Sequence, residues 1–250
     1  MADEIKTHPG YADTPMLPGT PWRVHDGQRP LPPVVTAGRF PTQEQSGLPP
    51  SDALVLFDGT NSDEWLGKDG QPHSWKVADG YIESVPKAGN IHTRSEFGDC
   101  QVHVEYQLPI LEPGQEQIDH GNSGIFMMRL YEIQIIDNWN YPVYADGIPG
   151  AVYGQQPPLV NAAPRRGQWS AYDIIWISPR FAGDKLLAPA YLTLFMDGIL
   201  LHHMQPMLGP TQFKKLATYA QPHPAVGALE LQDHNDRVRF RNIWCRPLHL

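Results

Sequence analysis

The chain has 250 residues, with 19 lysine and arginine residues against 27 aspartate and glutamate residues, and its net charge is −8. This balance and the lack of a basic run argue against nucleic acids and anionic membrane surfaces as partners, and we expect no nucleotide cofactor. The 22 glycines and 26 prolines predict many turns and few long helices.

The N-terminal region is expected to be an extended arm. Ten prolines interrupt residues 1–52, and apolar periodicity is nearly absent there. Such a composition is typical of extended, non-repetitive backbone. We expect this arm to lie along the domain surface or to contact a neighbouring subunit, which would make the protein a homo-oligomer.

Residues 53–250 are expected to form one all-β domain. Short alternating segments recur between turn signals, and Asp79-Gly80 and Asp197-Gly198 predict tight hairpins. The predicted strands are 53–57, 74–77, 81–85, 90–94, 101–108, 122–128, 130–137, 169–177, 190–195, 199–203, 225–232 and 237–246. About a dozen short strands with almost no helix indicate a sandwich or a barrel.

The termini and the cysteines carry little functional information. Residues 1–4 lack a charged n-region, and no apolar h-region follows, so no signal peptide is predicted. The chain is expected to be cytoplasmic as written, and periplasmic or secreted if a leader precedes it. No stretch reaches the ~18 apolar residues of a membrane span. Cys100 and Cys245 are too few for a disulfide framework, and two buried thiols are the simplest interpretation, although one bridge remains open.

One predicted strand, residues 130–137, carries an unusual polar face. Its apolar face, with Tyr131, Ile133 and Ile135, suits a core, but Glu132 and Gln134 stand side by side on the opposite face. A buried carboxylate and amide cost stability unless they are used. We therefore interpret this strand as part of a binding surface.

Two later strands repeat this polar pattern. Glu230, Gln232 and His234 share one face of the first, and Arg239 and Arg241 share one face of the second. If all three strands lie in one sheet, the shared face would suit a polar, hydroxyl-rich ligand.

A set of motifs spread over residues 53–248 resembles the 3-keto-disaccharide hydrolase family. The order and spacing of the motifs carry the resemblance, because each motif alone is weak. They are Leu56-Phe57-Asp58-Gly59, Trp65, Trp75, Asp79-Gly80, Thr93, Asn122-Ser123-Gly124-Ile125, Tyr131-Glu132-Ile133-Gln134-Ile135, Gly150-Ala151-Val152-Tyr153-Gly154, Leu231-Gln232-Asp233-His234 and Phe240-Arg241-Asn242-Ile243.

The resemblance implies a concanavalin-like β-sandwich, a jelly roll with a concave ligand-binding face. It also implies cleavage of 3-keto-glycosides, the small-molecule products of sugar 3-dehydrogenases. Many members of the family are secreted or periplasmic, and this chain differs by showing no leader. It also carries Glu230 where the family more often has a small residue.

The chemistry of 3-keto sugars assigns roles to particular residues. The 3-carbonyl acidifies the C2–H bond, so a base can form an enediolate, which expels the C1 substituent before water adds. Glu132 and His234 are the candidate bases. Arg241 would stabilise the enolate, or a divalent cation held by Glu132 and His234 would do so, with Ca, Mn, Mg and Zn not distinguished.

Other polar and aromatic residues are expected to bind the sugar. Amides and a guanidinium would bind hydroxyls, and two aromatic residues of the long connection between residues 138 and 167 would stack on the ring or supply a proton. This set is Arg94, Asn122, Gln134, Asp137, Trp139, Tyr153 and Gln232.

Several alternatives remain open at this point. Glu132 and Arg241 can form a purely structural ion pair. The domain can be a non-catalytic carbohydrate-binding module, since the same fold serves both functions. Glu132 and Glu230 can also act as the paired carboxylates of conventional glycoside hydrolysis. Asp137 can simply cap its strand, and Trp139 and Tyr153 can be packing residues.

Overall fold

The computed structural model describes residues 11, 13–30, 38–113 and 119–249. Within these ranges the chain forms fifteen strands and two short 3₁₀ turns, and no helix there is long and apolar enough to cross a membrane. The strands are β1 (Leu54–Phe57), β2 (Trp65–Leu66), β3 (Lys76–Ala78), β4 (Tyr81–Glu83), β5 (Ile91–Phe97), β6 (Cys100–Gln107), β7 (Ser123–Met127), β8 (Tyr131–Ile135), β9 (Trp169–Ile177), β10 (Arg180–Ala182), β11 (Lys185–Ala188), β12 (Tyr191–Met196), β13 (Ile199–Pro206), β14 (Gly227–Leu231) and β15 (Arg239–Pro247). The 3₁₀ turns are Lys68–Gly70 and Ala145–Gly147.

The strands form two main antiparallel sheets, which confirms the predicted all-β sandwich. An eight-stranded sheet has the order β13-β12-β9-β6-β15-β4-β3, with β1 also paired to β15. A five-stranded sheet has the order β2-β5-β14-β7-β8, and β10 and β11 form a small separate ribbon. Both predicted hairpins form, because Asp79-Gly80 and Asp197-Gly198 adopt the positive φ angles that tight hairpin turns require.

The core lies between the inner faces of the two sheets. Val102, Val104 and Tyr106 of β6 are completely buried, as their alternation predicts. Tyr131 of β8 packs against Trp176 of β9 with ring centroids 5.0 Å apart, so the two sheets meet directly. Cys100 and Cys245 lie on the neighbouring strands β6 and β15 as buried free thiols.

The chain divides into two units, Met1–Thr36 and Ala37–Leu250. In the first unit, residues 13–30 form turns and an isolated bridge between Met16 and Arg23. The rest of the predicted arm up to residue 37, namely residues 1–10, 12 and 31–37, lies outside the described residues.

Residues 38–50, which the prediction assigned to the arm, form a strap on the outer face of the eight-stranded sheet. The Gly47 amide donates to the Glu105 carboxylate at 2.7 Å. Gln43 exchanges two hydrogen bonds of 2.9 Å with the backbone of Trp169. The strap therefore covers the polar side chains on this face of β6.

Candidate active site

A cavity of about 300 Å³ lies on the outer face of the five-stranded sheet, above β7, β8 and β14. Its volume is at the lower end of small-molecule sites. Six predicted site residues line it together, namely Asn122, Glu132, Gln134, Tyr153, Gln232 and His234. Phe126, Thr211 and Phe213 complete the lining.

The strand register determines the floor of this cavity. Phe126 of β7 lies opposite both Glu132 of β8 and Glu230 of β14. Gly124 lies opposite Gln134, and its carbonyl accepts a hydrogen bond from the Gln232 amide at 3.0 Å. Because the cavity-facing residues of β7 alternate with core residues, Gly124 lies among the polar groups of its neighbours.

Gly124 leaves space for the carboxylate of Glu132. A Cβ atom at Gly124 would lie 2.7 Å from Oε1 of Glu132 and 3.0 Å from its Cγ. A larger residue would therefore displace the Glu132 side chain. The glycine is explained by this close approach, since its backbone does not adopt a positive φ angle.

Glu132 is the most perturbed acidic group of the cavity. The residue is 5% exposed, and burial alone raises the pKa of its carboxyl to about 8. Across the described ranges, no side chain or backbone amide forms an ion pair or hydrogen bond with this carboxyl that would counteract burial. A carboxyl of this kind is a strong base once it is ionised.

One wall of the cavity comes from the long connection between β8 and β9. This connection extends the sheet beyond β8 through backbone hydrogen bonds. The backbone N–H of Gln134 donates to the Ala151 carbonyl at 3.0 Å, and the backbone N–H of Tyr153 donates to the Glu132 carbonyl at 3.2 Å. Gly150 in turn donates to the Gln134 carbonyl at 2.9 Å. These backbone bonds fix the side chain of Tyr153 beside Glu132.

A second part of the lining comes from the segment after β13. Thr211 accepts a hydrogen bond from the Glu132 amide at 2.9 Å and donates its own amide to the Leu130 carbonyl at 2.8 Å. Two residues later, Phe213 is 66% exposed at the cavity rim. The N–H and C=O groups of Glu132 are therefore both hydrogen-bonded, to Thr211 and Tyr153, while its carboxyl is left without partners among the described residues.

Tyr153 forms a hydroxyl pair with Tyr144. The two phenolic oxygens are 2.8 Å apart. Burial raises the pKa of Tyr153, and the neighbouring Tyr144, Glu132 and Asp146 raise it further. Tyr153 is therefore a protonated phenol at neutral pH and can donate a proton.

The remaining polar groups of the cavity suit hydroxyl recognition. The buried Oε1 atom of Gln232 has no hydrogen-bond donor among the described residues. A ligand hydroxyl could supply one, since buried acceptors are normally satisfied. His234 is exposed and lies at the cavity, in a bend that follows β14 and not in a strand.

The expectation that Arg241 joins this site is wrong. β15 belongs to the eight-stranded sheet, so its outward face lies on the other side of the sandwich. There Arg241 forms an ion pair with Glu105, donates to the Thr42 carbonyl at 2.8 Å and stacks on Trp169 at 4.0 Å. The alternative of an ion pair between Glu132 and Arg241 is wrong for the same reason.

Three predicted sugar-binding residues also lie outside the cavity. Arg94 donates to the Asp63 carbonyl at 2.6 Å in a separate groove. Asp137 caps the backbone after β8 and forms an ion pair with Arg166 at 2.7 Å. Trp139 donates to a loop carbonyl and stacks under Arg165 at 4.1 Å.

Glu230 faces the same side as Glu132 but is fully engaged. It accepts hydrogen bonds of 2.8 Å from both Arg129 and Asn90. Phe126 lies between the two glutamates in the strand register. This arrangement does not favour a pair of catalytic carboxylates.

Sequence reasoning missed Gly124, Phe126, Thr211, Phe213 and Tyr144. The first two could have been found, because they share the face of Asn122 in an alternating strand. The other three come from irregular connections, where no periodicity indicates which side chain faces the cavity.

The chain is similar to several known proteins over most of its length. A curated 3-keto-disaccharide hydrolase from Bacteroides thetaiotaomicron is 24% identical over 227 residues, which cover 78% of each chain. A crystal structure of a candidate glycosyl hydrolase from Parabacteroides distasonis is 36% identical, covers 88% of this chain and 93% of its own, and superposes with a TM-score of 0.80. A second structure from that organism, 18% identical with a TM-score of 0.59, covers 79% of this chain and 94% of its own and supports the fold alone.

The model of one family covers most of the β-sandwich. It is described as the 3-keto-alpha-glucoside-1,2-lyase-like domain, and it matches residues 52–246. This range includes every residue that lines the cavity above β7, β8 and β14. The protein therefore belongs to the 3-keto-alpha-glucoside-1,2-lyase-like family.

Proposed function

We propose that this carbohydrate-processing protein cleaves the glycosidic bond of 3-keto-glycosides by proton abstraction at C2, elimination and hydration. The observation that carries the proposal is the buried carboxyl of Glu132, which lies in a small polar cavity without a protein partner among the described residues. A base of this strength suits the weakly acidic C2–H bond of a 3-keto sugar, whereas binding of hydroxyls alone does not require a carboxyl of raised pKa.

In the first step, the Glu132 carboxylate removes the C2 proton and the electrons move onto the 3-oxygen as an enediolate. The amide side chains of Asn122, Gln134 and Gln232, which line the same cavity, are the groups available to stabilise this charge. Arg241 has no part in this step because it lies on the other sheet.

In the second step, the enediolate collapses, the C1–O bond breaks and the departing oxygen takes a proton from the Tyr153 hydroxyl. Water then adds to C1 of the enone, giving its proton to the Tyr153 phenolate, and Glu132 returns its proton to C2. Both residues regain their starting states, and the net reaction is addition of one water across the glycosidic bond.

His234 is the second candidate base, because an imidazole ring nitrogen can accept a proton. It is exposed at the cavity, whereas Glu132 is enclosed by the two loop segments. A base shielded from water is better placed to act on a carbon acid. We therefore assign the proton abstraction to Glu132 and hydroxyl binding to His234.

The alternative proposal for these two side chains is that Glu132 and His234 hold a divalent cation instead of acting as base and hydroxyl ligand. Both side chains line one cavity, and the unpartnered Oε1 of Gln232 is a further oxygen donor of the kind that hard cations bind. No group of three His, Cys, Asp or Glu side chains is assembled for a metal within the described part of the chain. Sugar oxygens and water would complete the shell, and the cation would stabilise negative charge on oxygen.

The test uses 3-keto-glucosides and their parent glucosides, with and without a chelator, and follows release of the aglycone. Release from the keto sugar alone is expected, and loss of release with chelator would require the cation. Release from the parent glucoside at a similar rate would contradict the proposal. Absence of release, with saturable glycan binding, would instead identify a binding module.

A further inference from the structure

A second cavity adjoins the one that contains Glu132. It has a volume of about 430 Å³ and shares Tyr153 and Phe213 with the first cavity. Its other walls include Tyr144, Asp146 and the segment 212–216. The two cavities therefore form one groove that Tyr153 and Phe213 divide.

We propose that this second cavity is the leaving-group subsite and that it selects aromatic aglycones. The inference rests on the proposed function, because it assigns the sugar to the cavity with Glu132 and the aglycone to the adjoining one. Tyr153 then stands between them, where the oxygen of the breaking C1–O bond must take up its proton.

The apolar groups of the second cavity are unusually accessible. Phe213 is 66% exposed, Leu216 is 74% exposed and Tyr144 is 58% exposed. Exposed apolar side chains grouped around a concave site typically mark a ligand-binding surface. An aryl ring could stack on Phe213 or on the tyrosines, whereas Leu216 offers nothing to a second, hydroxyl-rich sugar.

The charges of the second cavity also favour an aromatic leaving group. Lys214 and Lys215 line it against the single carboxylate of Asp146, in a chain whose net charge is −8. The Nζ atom of Lys214 lies 5.0 Å from the centre of the Phe213 ring. Positive charge beside an aromatic surface suits a phenolic oxygen that becomes negative as the bond to C1 breaks.

The tyrosine pair links the two cavities. Tyr144 lines only the second cavity, but its hydroxyl lies 2.8 Å from that of Tyr153. An aglycone that contacts Tyr144 would therefore also fix the direction of the Tyr153 hydroxyl. Tyr144 is a positioning residue in this assignment, since it acts through Tyr153.

The experiment compares Phe213→Ala with the unchanged protein on methyl, phenyl and disaccharide 3-keto-glucosides, each as both anomers. Comparing the two proteins on each substrate cancels the intrinsic reactivity of the leaving group. We expect kcat/KM for the phenyl substrate to fall about tenfold and that for the methyl substrate less than about twofold. Phe40→Ala is the matched control, because Phe40 is an 88% exposed phenylalanine on the strap.

Equal losses on the phenyl and methyl substrates, or the largest loss on the disaccharide, would overturn the aromatic subsite while leaving the proposed function intact. If no substrate is cleaved, the binding of phenyl glucoside to the unchanged protein and to both variants is measured by calorimetry. Binding that Phe213→Ala weakens and Phe40→Ala preserves would support the subsite without the proposed reaction. Absence of binding would overturn both.

Discussion

Two glutamates on opposite outer faces of the sandwich are both buried, yet their surroundings shift the pKa values of their carboxyl groups in opposite directions. Glu132 is 5% exposed and its pKa is raised to about 8 by burial. Glu105 is completely buried, and burial also opposes its ionisation, but its partners outweigh burial and lower its pKa. These partners are His103, Arg241, Asn242 and the Gly47 amide.

The difference shows that burial alone does not define a functional carboxylate. The strap and β15 surround Glu105 with donors and cations, so its charge stabilises the structure. The loops around Glu132 bind its backbone and leave its carboxyl for a ligand. The contrast between the two glutamates can therefore be tested by separating activity from stability.

The largest effect is expected for Glu132→Gln. The amide cannot accept the C2 proton, so kcat on a 3-keto-glucoside should fall by about 10³-fold. The free energy of unfolding should stay unchanged or rise, because no ion pair is lost. Glu96→Gln, an exposed glutamate of β5 in the same sheet, is the control and should retain full activity. A stable, fully active Glu132→Gln protein would remove Glu132 from the mechanism.

Glu105→Gln is expected to lower the stability of the protein without changing its activity. This change leaves the buried guanidinium of Arg241 without its carboxylate, and such a loss costs about 3 kcal/mol or more. Urea denaturation would measure the lower free energy of unfolding, while kcat/KM of the folded protein should not change. If the free energy of unfolding is unchanged, the ion pair between Glu105 and Arg241 does not stabilise the fold.

The pH dependence of activity should report the raised pKa of Glu132. Only the ionised carboxylate can act as the base, so kcat/KM should rise about 50-fold between pH 6 and pH 8 and then level off. An added cation that binds Glu132 would move this rise to lower pH. A profile that is flat from pH 6 to pH 9 without added metal would contradict the assignment.

The pH dependence of stability should differ in sign between the two glutamates. The raised pKa of Glu132 means that its contribution to stability declines as the pH increases from 4.5 towards 8. The lowered pKa of Glu105 means that its contribution is present above pH 4.5 and is lost in acid. Measured from acid pH below 4.5 up to pH 8, the free energy of unfolding should lose the first trend in Glu132→Gln and the second in Glu105→Gln.

A smaller effect is expected for Gly124→Ala. The added methyl group would lie 2.7 Å from Oε1 of Glu132, so the unanchored carboxyl must move. A displacement of this size is expected to reduce kcat about tenfold with little change in stability. Gly98→Ala is the control and should retain full activity, because Gly98 has no positive φ angle and does not line the cavity, although its added Cβ would lie 3.2 Å from the Ala225 carbonyl oxygen. Equal activity of Gly124→Ala and the unchanged protein would show that the carboxyl position is not critical.

Alternation in the sequence predicted twelve of the strands and, for β6 and β8, which side faces the core, whereas β2, β10 and β11 were not predicted. It also predicted that Glu132, Gln134, Gln232 and His234 share one surface, because β8 and β14 lie in one sheet with β7 between them. It failed for Arg241, since alternation gives the face of a strand but not the sheet to which the strand belongs. Phe213 and Thr211 were missed because they lie in irregular backbone, and contact of residues 1–52 with a second subunit stays a prediction.

The connection between β8 and β9, which carries Tyr153, also affects the solubility of the protein. β8 is the last strand of its sheet, and an uncovered last strand would offer unpaired amides and carbonyls to another molecule. Gly150, Ala151 and Tyr153 occupy several of these backbone groups. Shortening this loop to alter substrate preference would therefore expose the unpaired backbone groups of β8. Aggregation would then accompany any change in specificity.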